Sequence, residues 1–420
     1  MEKFIIVGGN RLTGTVTISG AKNAVLPIMA ASIMAGEPCV IYDVPRLTDV
    51  RVMKNVLKSL GARVEVNGHA MVIDPRKINY TEVPEHLMRK LRASNLVMGA
   101  LLGRFGRVKV AHPGGCAIGS RPMDLHFKGF QALGAKITER YGFIEVEAKE
   151  LRGADIQLDF PSVGATENIM MAATLAKGTT IIRNAAKEPE IVDLQNFLNR
   201  LGARIKGAGI DVIRIEGVRK LRGTEHNLIP DRIETGTYMV AAAITNGDVV
   251  LKNVIPNHIE PVSAKLREAG VSVVEYKDGI RVKGRGRIKA LDIKTLPYPG
   301  FPTDMQPQMV ALMSIAEGTS IITETIFESR FKHVDELTRM GANIKVEGRV
   351  AIVKGVNRLS GAVVEASDLR AGAALVLAGL AAEDATVVEN VHHLDRGYED
   401  MEKKLNSLGA RVIRVNSNRE

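Results

Sequence analysis

Apolar positions along the chain fall into one pattern that recurs six times. A run of small apolar residues at helical spacing comes first, as in residues 24–35, 170–176 and 373–381. A turn follows, marked by Gly36, Gly106, Gly178, Gly247 or Gly318, with Asp384 near that place in the last copy. Next come a short β-type run, a loop, and a second helical run with a single apolar face. Each copy closes on one phrase and a β-rich stretch that predicts a hairpin. The phrase reads Leu60-Gly61-Ala62, Leu133-Gly134-Ala135, Leu201-Gly202-Ala203, Ala269-Gly270-Val271, Met340-Gly341-Ala342 and Leu408-Gly409-Ala410. Its glycines lie 68 to 73 residues apart, so six units of one design fill the chain. The glycine is placed to cap the second helix, where the backbone needs a positive φ. Small residues in the first helix predict burial on several sides and close packing. Strands alternating with helices predict βαβ crossovers and parallel pairing, with some antiparallel hairpins.

The sixth copy is one hairpin strand short, because the chain ends soon after residues 411–415. Residues 3–7 form a strand-like run that belongs to no copy, and they are expected to complete the sixth. Three units per domain then place one domain at 22–229 and the other at 1–21 plus 230–420. Two crossings between domains suit a hinged pair that closes on a ligand.

A length of 420 residues exceeds one ordinary core, in keeping with two domains. Hydrophobic content of 45% with 25% charged residues belongs to a globular class. The start of the chain turns to Gly8-Gly9 too early for a signal peptide, and residues 371–382 are too few to span a membrane. Cys39 and Cys116 are the two cysteines, which fits a reducing cytoplasm, and Cys39 reads as a core thiol. The net charge of +10 changes the choice of partners. Basic residues are scattered, aromatics are 4% and tryptophan is absent, so anionic small molecules are expected rather than nucleic acid or a membrane.

Candidate chemistry lies at the loops. His112-Pro113-Gly114-Gly115-Cys116-Ala117-Ile118-Gly119-Ser120-Arg121-Pro122 places a thiol in a turn-rich segment near Arg107 and Arg121. Fixed positive charge favours a thiolate and a reactive sulfur. A structural loop with an inert cysteine is the competing reading. Cations also gather where helices are expected to start: Lys22, Arg92, Arg121, Arg330, Arg370 and Arg396. A cation there opposes the helix dipole, so capping does not explain it, whereas Ser162, Thr303 and Ser367 suit ordinary caps. Positive helix ends with positive side chains make an anion trap; a solvated basic rim is the plainer alternative. No metal-ligand spacing and no nucleotide-binding glycine motif stands out, and His392-His393 is an isolated pair.

Four stretches together carry a resemblance: Ser19-Gly20-Ala21-Lys22-Asn23-Ala24, the glycine-flanked Cys116 loop, Phe301-Pro302-Thr303-Asp304-Met305-Gln306 and Asp395-Arg396-Gly397-Tyr398-Glu399. They resemble the UDP-N-acetylglucosamine 1-carboxyvinyltransferases, enolpyruvyl transferases that open peptidoglycan precursor synthesis. The resemblance implies an α/β fold of two inside-out α/β domains, each of three repeated βαβαββ-type units. It implies two small-molecule substrates, phosphoenolpyruvate and UDP-N-acetylglucosamine, no cofactor, no metal and a cytoplasmic location. Phosphoenolpyruvate would meet Lys22, Asn23, Arg121 and Arg396, with Arg330 and Arg370 in the same charged set. The nucleotide sugar would meet Arg92, Arg121, Pro122, Met123, Asp124, Leu125, Ser162, Val163, Gly164, Asp304 and Ile326. Cys116 would protonate the enolpyruvate methylene carbon. It could also form a covalent thioether, the 2-(S-cysteinyl)pyruvic acid O-phosphothioketal, and would be the sulfur that fosfomycin alkylates. Asp304 would take the proton of the sugar 3-hydroxyl, with Asp231 and Asp368 as supporting carboxylates. Phe160-Pro161 departs from the more polar pair common in relatives.

Overall fold

The computed structural model describes residues 2–90, 95–112, 118–119 and 122–416. It divides into two compact units. One comprises Met1–Ser19, Cys116–Ser120 and Pro230–Glu420; the other comprises Gly20–Gly115 and Arg121–Ile229. Each has its own hydrophobic core.

Both units follow one plan. The first helix of every repeat lies inside: Lys22–Ala31, Val97–Phe105 and Val163–Thr174 in one unit, Arg232–Ile244, Gln306–Met313 and Leu369–Ala381 in the other. Every residue of Gln306–Met313 is buried, and so is every residue from 369 to 380. A helix buried all round has no polar face to offer, which is why these runs are rich in alanine, glycine and methionine. The sheets cover the helices, and their strands alternate buried and exposed positions, as in Thr179–Arg183. Close approach of the inner helices depends on small residues. A Cβ at Gly99 would stand 2.1 Å from the Asn168 carbonyl oxygen, and the Gly99 amide donates to Asn168 Oδ1 at 2.7 Å.

Among the described residues there are five four-stranded sheets and one of three strands. In each four-stranded sheet the hairpin's second strand lies between its first strand and the strand after the inner helix. The sixth repeat reaches this pattern through the N-terminus. Glu2–Val7 runs antiparallel to both Ala385–Glu389 and Arg411–Asn416, with Ile5 opposite Val387 and Ile413. The strand missing from the last hairpin is therefore supplied from the other end of the chain.

The glycine of the recurring phrase has a positive φ in all six repeats, from 89° at Gly341 to 108° at Gly61 and Gly202. Only glycine adopts this conformation without a Cβ clash. The earlier turn is less uniform than its glycines predict. Gly106, Gly178 and Gly318 are left-handed, but Asn246 takes that role beside Gly247, Asp384 takes it in the last repeat, and Gly36 has no positive φ. Asn and Asp tolerate the conformation better than other side chains. The expected dominance of parallel pairing is also corrected. Each four-stranded sheet has one parallel contact and two antiparallel ones. The parallel partner is a short edge strand such as Asp155–Gln157 or Ile293–Lys294. In the three-stranded sheet its place is held by a single bridge, Glu82 to Lys109. No helix among the described residues is long and apolar enough to cross a membrane.

Candidate active site

In the unit containing Pro230–Glu420, the charged side chains centre on Asp304. The turn Thr303–Met305 presents it just ahead of the helix Gln306–Met313. Its two oxygens have separate partners: Arg330 Nη2 donates to Oδ1 at 3.0 Å and Arg370 Nη2 to Oδ2 at 3.1 Å. Both arginines are buried, at 4% and 3% exposure, so the basic-rim reading fails for them. A buried guanidinium must be paired, and the trio keeps one positive charge in excess of its carboxylate. Arg370 is also held from behind. Its Nη1 donates to Tyr398 Oη at 3.1 Å, and that hydroxyl lies 2.9 Å from Thr237 Oγ1. Burial works against the Arg370 charge, but Tyr398, Asp304 and Asp231 outweigh it and hold the guanidinium above its usual range. The Asp304 main chain is fixed as well, since Gln308 Nε2 donates to its carbonyl at 2.9 Å.

Asp231 and Asp368 are helix caps. Asp231 Oδ1 accepts from the amides of Ile233 and Glu234, at 2.8 and 2.9 Å. Asp368 Oδ1 accepts from those of Arg370 and Ala371, at 2.9 and 3.1 Å. Asp368 thereby fixes the main chain of the arginine that clamps Asp304. Arg396 is not at a helix start, as its charge pattern predicted. It ends the 3-10 helix Val391–Arg396, where a cation complements the dipole. Ile326 lies on the segment after Thr319–Thr323, and its amide donates to Glu324 Oε1 at 2.8 Å. Of the cysteine loop, Ile118 and Gly119 are described. The Ile118 carbonyl accepts from the Ser329 amide at 3.1 Å, beside Arg330. Cys116, Arg121 and Arg92 lie outside the described residues.

In the other unit, Lys22 opens the helix Lys22–Ala31, with Asn23 in the same turn. Lys22 Nζ is 2.9 Å from Asp49 Oδ2, and Asp49 is 2% exposed on the helix Thr48–Ser59. Ser162 caps Val163–Thr174, its side chain accepting from the Ala165 amide at 3.3 Å. Gly164 is in that first turn, where a Cβ would come within 3.3 Å of His126 Cε1. Pro122 and Asp124 are exposed, Leu125 is half-buried and Met123 is buried just before the helix Asp124–Ala132. Cys39 is buried in the core, which pushes its thiol up to about 11. Among the described residues no cluster of His, Cys, Asp and Glu is arranged to hold a metal ion.

Asp49, Glu324 and the Tyr398 hydroxyl escape sequence reasoning. Asp49 leaves one trace, an acidic residue on the apolar face defined by Val50, Met53, Val56 and Leu57.

Two histidines set a pH dependence of stability. Burial holds His126 and His333 each at about 4, against 6.5 for an ordinary histidine. Both are neutral in the fold at pH 5, whereas the unfolded chain is protonated there. Their contribution to stability is therefore complete above pH 6.5 and is lost as pH drops toward 4, by up to roughly 3 kcal/mol for each histidine. His333→Phe removes the titrating ring while leaving an aromatic side chain at this buried position. Equilibrium unfolding at pH 7, 6 and 5 should show a shallower decline in that variant than in the native chain. Parallel declines would mean that His333 contributes nothing.

The family whose sequence pattern matches residues 6–405 is described as EPSP synthase (3-phosphoshikimate 1-carboxyvinyltransferase). The chain is 58% identical over 416 residues to UDP-N-acetylglucosamine 1-carboxyvinyltransferase 1 of Carboxydothermus hydrogenoformans, covering 99% of both chains. It is 59% identical over 412 residues to the protein of that name from Caldanaerobacter subterraneus subsp. tengcongensis, covering 98% of this chain and 99% of the other. Among solved structures, the enolpyruvyl transferase NikO from Streptomyces tendae superposes with a TM-score of 0.89 at 26% identity, covering 99% of each chain. EPSP synthase from Acinetobacter baumannii shares the fold, with a TM-score of 0.76 at 19% identity over 99% of this chain and all of that one.

Proposed function

The chain belongs to the EPSP synthase family, and from that premise we propose that it is an enolpyruvyl transferase acting on UDP-N-acetylglucosamine. It transfers the enolpyruvyl group of phosphoenolpyruvate to the sugar 3-hydroxyl and releases phosphate, the first committed step of peptidoglycan precursor synthesis in the cytoplasm. The observation that carries this choice of acceptor is full-length identity above one half to transferases named for that nucleotide sugar.

The chemistry sets what the residues must do. The enol carbon is a weak electrophile until its neighbour is protonated, so an acid must stand against the methylene carbon. Cys116 gives that proton while the 3-hydroxyl oxygen bonds to C2 and Asp304 draws off the hydroxyl proton. The tetrahedral intermediate then loses the proton from the same carbon and expels phosphate, restoring the double bond. Departing phosphate needs fixed cations. Lys22, oriented by Asp49, supplies one, and Arg121 and Arg396 supply the others. Asn23 joins them on phosphoenolpyruvate. Asp304, oriented by Arg330 and Arg370, is the carboxylate that accepts the proton of the sugar hydroxyl. Arg92, residues 121–125 and the helix start at Ser162, Val163 and Gly164 take the nucleotide, the last through amides at a positive helix end.

Mass spectrometry of the product tests the reading. Incubation with both substrates should yield the nucleotide sugar bearing one enolpyruvyl group on O3. Recovery of unchanged nucleotide sugar from active-concentration protein would refute it.

A further inference from the structure

Glu324 follows the strand Thr319–Thr323 and is 1% exposed. No cation pairs with it among the described residues. A buried carboxylate must find donors instead, and this one finds four. Oε1 accepts from Thr295 Oγ1 at 2.9 Å and from the amides of Ile326 and Phe327 at 2.8 and 3.2 Å. Among the described residues Oε2 accepts from Thr303 Oγ1 alone, at 2.9 Å. The two oxygens thus serve different structures. Thr295 belongs to the sheet edge: its Oγ1 accepts from the Thr325 amide at 2.9 Å and its carbonyl from Thr325 Oγ1 at 2.6 Å. Thr303 is the residue before Asp304 and begins the turn that presents it.

The geometry points to Glu324 as a positioning residue for the transfer reaction, one carboxylate that fixes the segment 303–304 against the segment 326–327. This rests on the functional reading above, in which Asp304 and Ile326 both meet the nucleotide sugar. Arg330 and Arg370 fix the Asp304 carboxylate at its far end, while the Glu324–Thr303 bond fixes the main chain it grows from. Releasing that bond lets the carboxylate swing about its clamp. A displacement of about 1 Å at a reacting group can cost about a hundredfold in rate. A carboxylate that only staples the fold would act through both threonines alike.

The two threonines separate these roles. In steady-state kinetics, Thr303→Val and Glu324→Gln should each lower kcat by between about tenfold and a hundredfold, with KM for phosphoenolpyruvate changed less than about twofold. Thr303→Ser, which keeps the hydroxyl, should return kcat to within about twofold of native. Thr295→Val removes a bond to the same carboxylate; it should lower Tm but leave kcat within about twofold. Glu324→Gln leaves both threonine side chains intact and replaces one acceptor oxygen by an amide donor, so its loss traces to the carboxylate and not to a change in either threonine. Equal losses of kcat in Thr295→Val and Thr303→Val, or native turnover in folded Glu324→Gln, would overturn the inference. If Glu324→Gln does not fold, the threonine pair decides. Native protein that makes no enolpyruvyl product from phosphoenolpyruvate and UDP-N-acetylglucosamine would count against the functional reading instead.

Discussion

Asp304→Asn lowers turnover by between about a hundredfold and ten-thousandfold while the protein stays folded. Asparagine keeps the volume and one acceptor oxygen, so Arg330 or Arg370 retains a partner, but the amide cannot take the proton of the sugar hydroxyl. Alanine at the same position tests a different property. It leaves two buried guanidinium groups facing each other, both previously held by one carboxylate at 3.0 and 3.1 Å. That arrangement costs up to about 3 kcal/mol of stability, since unpaired buried charge is the expensive case. The pair of variants therefore separates chemistry from folding. Asn should melt below native but above Ala and stay folded with little turnover, and Ala should lose the most stability together with turnover. Native turnover in the Asn variant would remove Asp304 from proton transfer and leave it as a clamp for two arginines.

The second large effect is at Cys116. Cys116→Ser should lose turnover by about three orders of magnitude, because a serine hydroxyl is a far weaker acid than a thiol and cannot serve the methylene carbon near neutral pH. The same variant should escape alkylation by fosfomycin. Intact-protein mass spectrometry after fosfomycin treatment should show one adduct on the native chain and none on the variant. Alkylation of both would place the reactive sulfur at Cys39, which is contrary to its burial and raised pKa. Unchanged turnover would rule out the proton-donor role.

Much of the fold was legible because one conformational requirement recurs. Six helices end on a glycine with positive φ, and no other residue fills that position as cheaply, so the period is written in the chain itself. The strand Glu2–Val7 was legible for a related reason, since a unit with one strand missing must find it elsewhere. Parallel pairing was overestimated. Its strands are as short as Ile293–Lys294, too brief to show an alternating pattern, while the hairpins that dominate the sheets read only as β-rich runs. Arg396 was misplaced because a 3-10 helix lacks the 3.6-residue period that marks a helix start.

The site was legible in its charges and not in its pairings. Lys22, Arg330, Arg370 and Asp304 stand out as charged residues beside apolar helices. That Asp304 would accept from both arginines, or that Lys22 would meet Asp49, depends on contacts across 26 to 66 residues, which no local pattern encodes. Glu324 is the clearest case. Its four donors come from Thr295, Thr303, Ile326 and Phe327, and nothing in those residue types announces a shared acceptor.

Phosphate release from phosphoenolpyruvate, measured with two acceptors side by side, is the most direct test of the whole assignment. Release that requires UDP-N-acetylglucosamine, with one phosphate per nucleotide sugar consumed and none released with shikimate 3-phosphate, is the predicted result. Release with shikimate 3-phosphate and none with the nucleotide sugar would contradict it and move the chain to the other branch of its family.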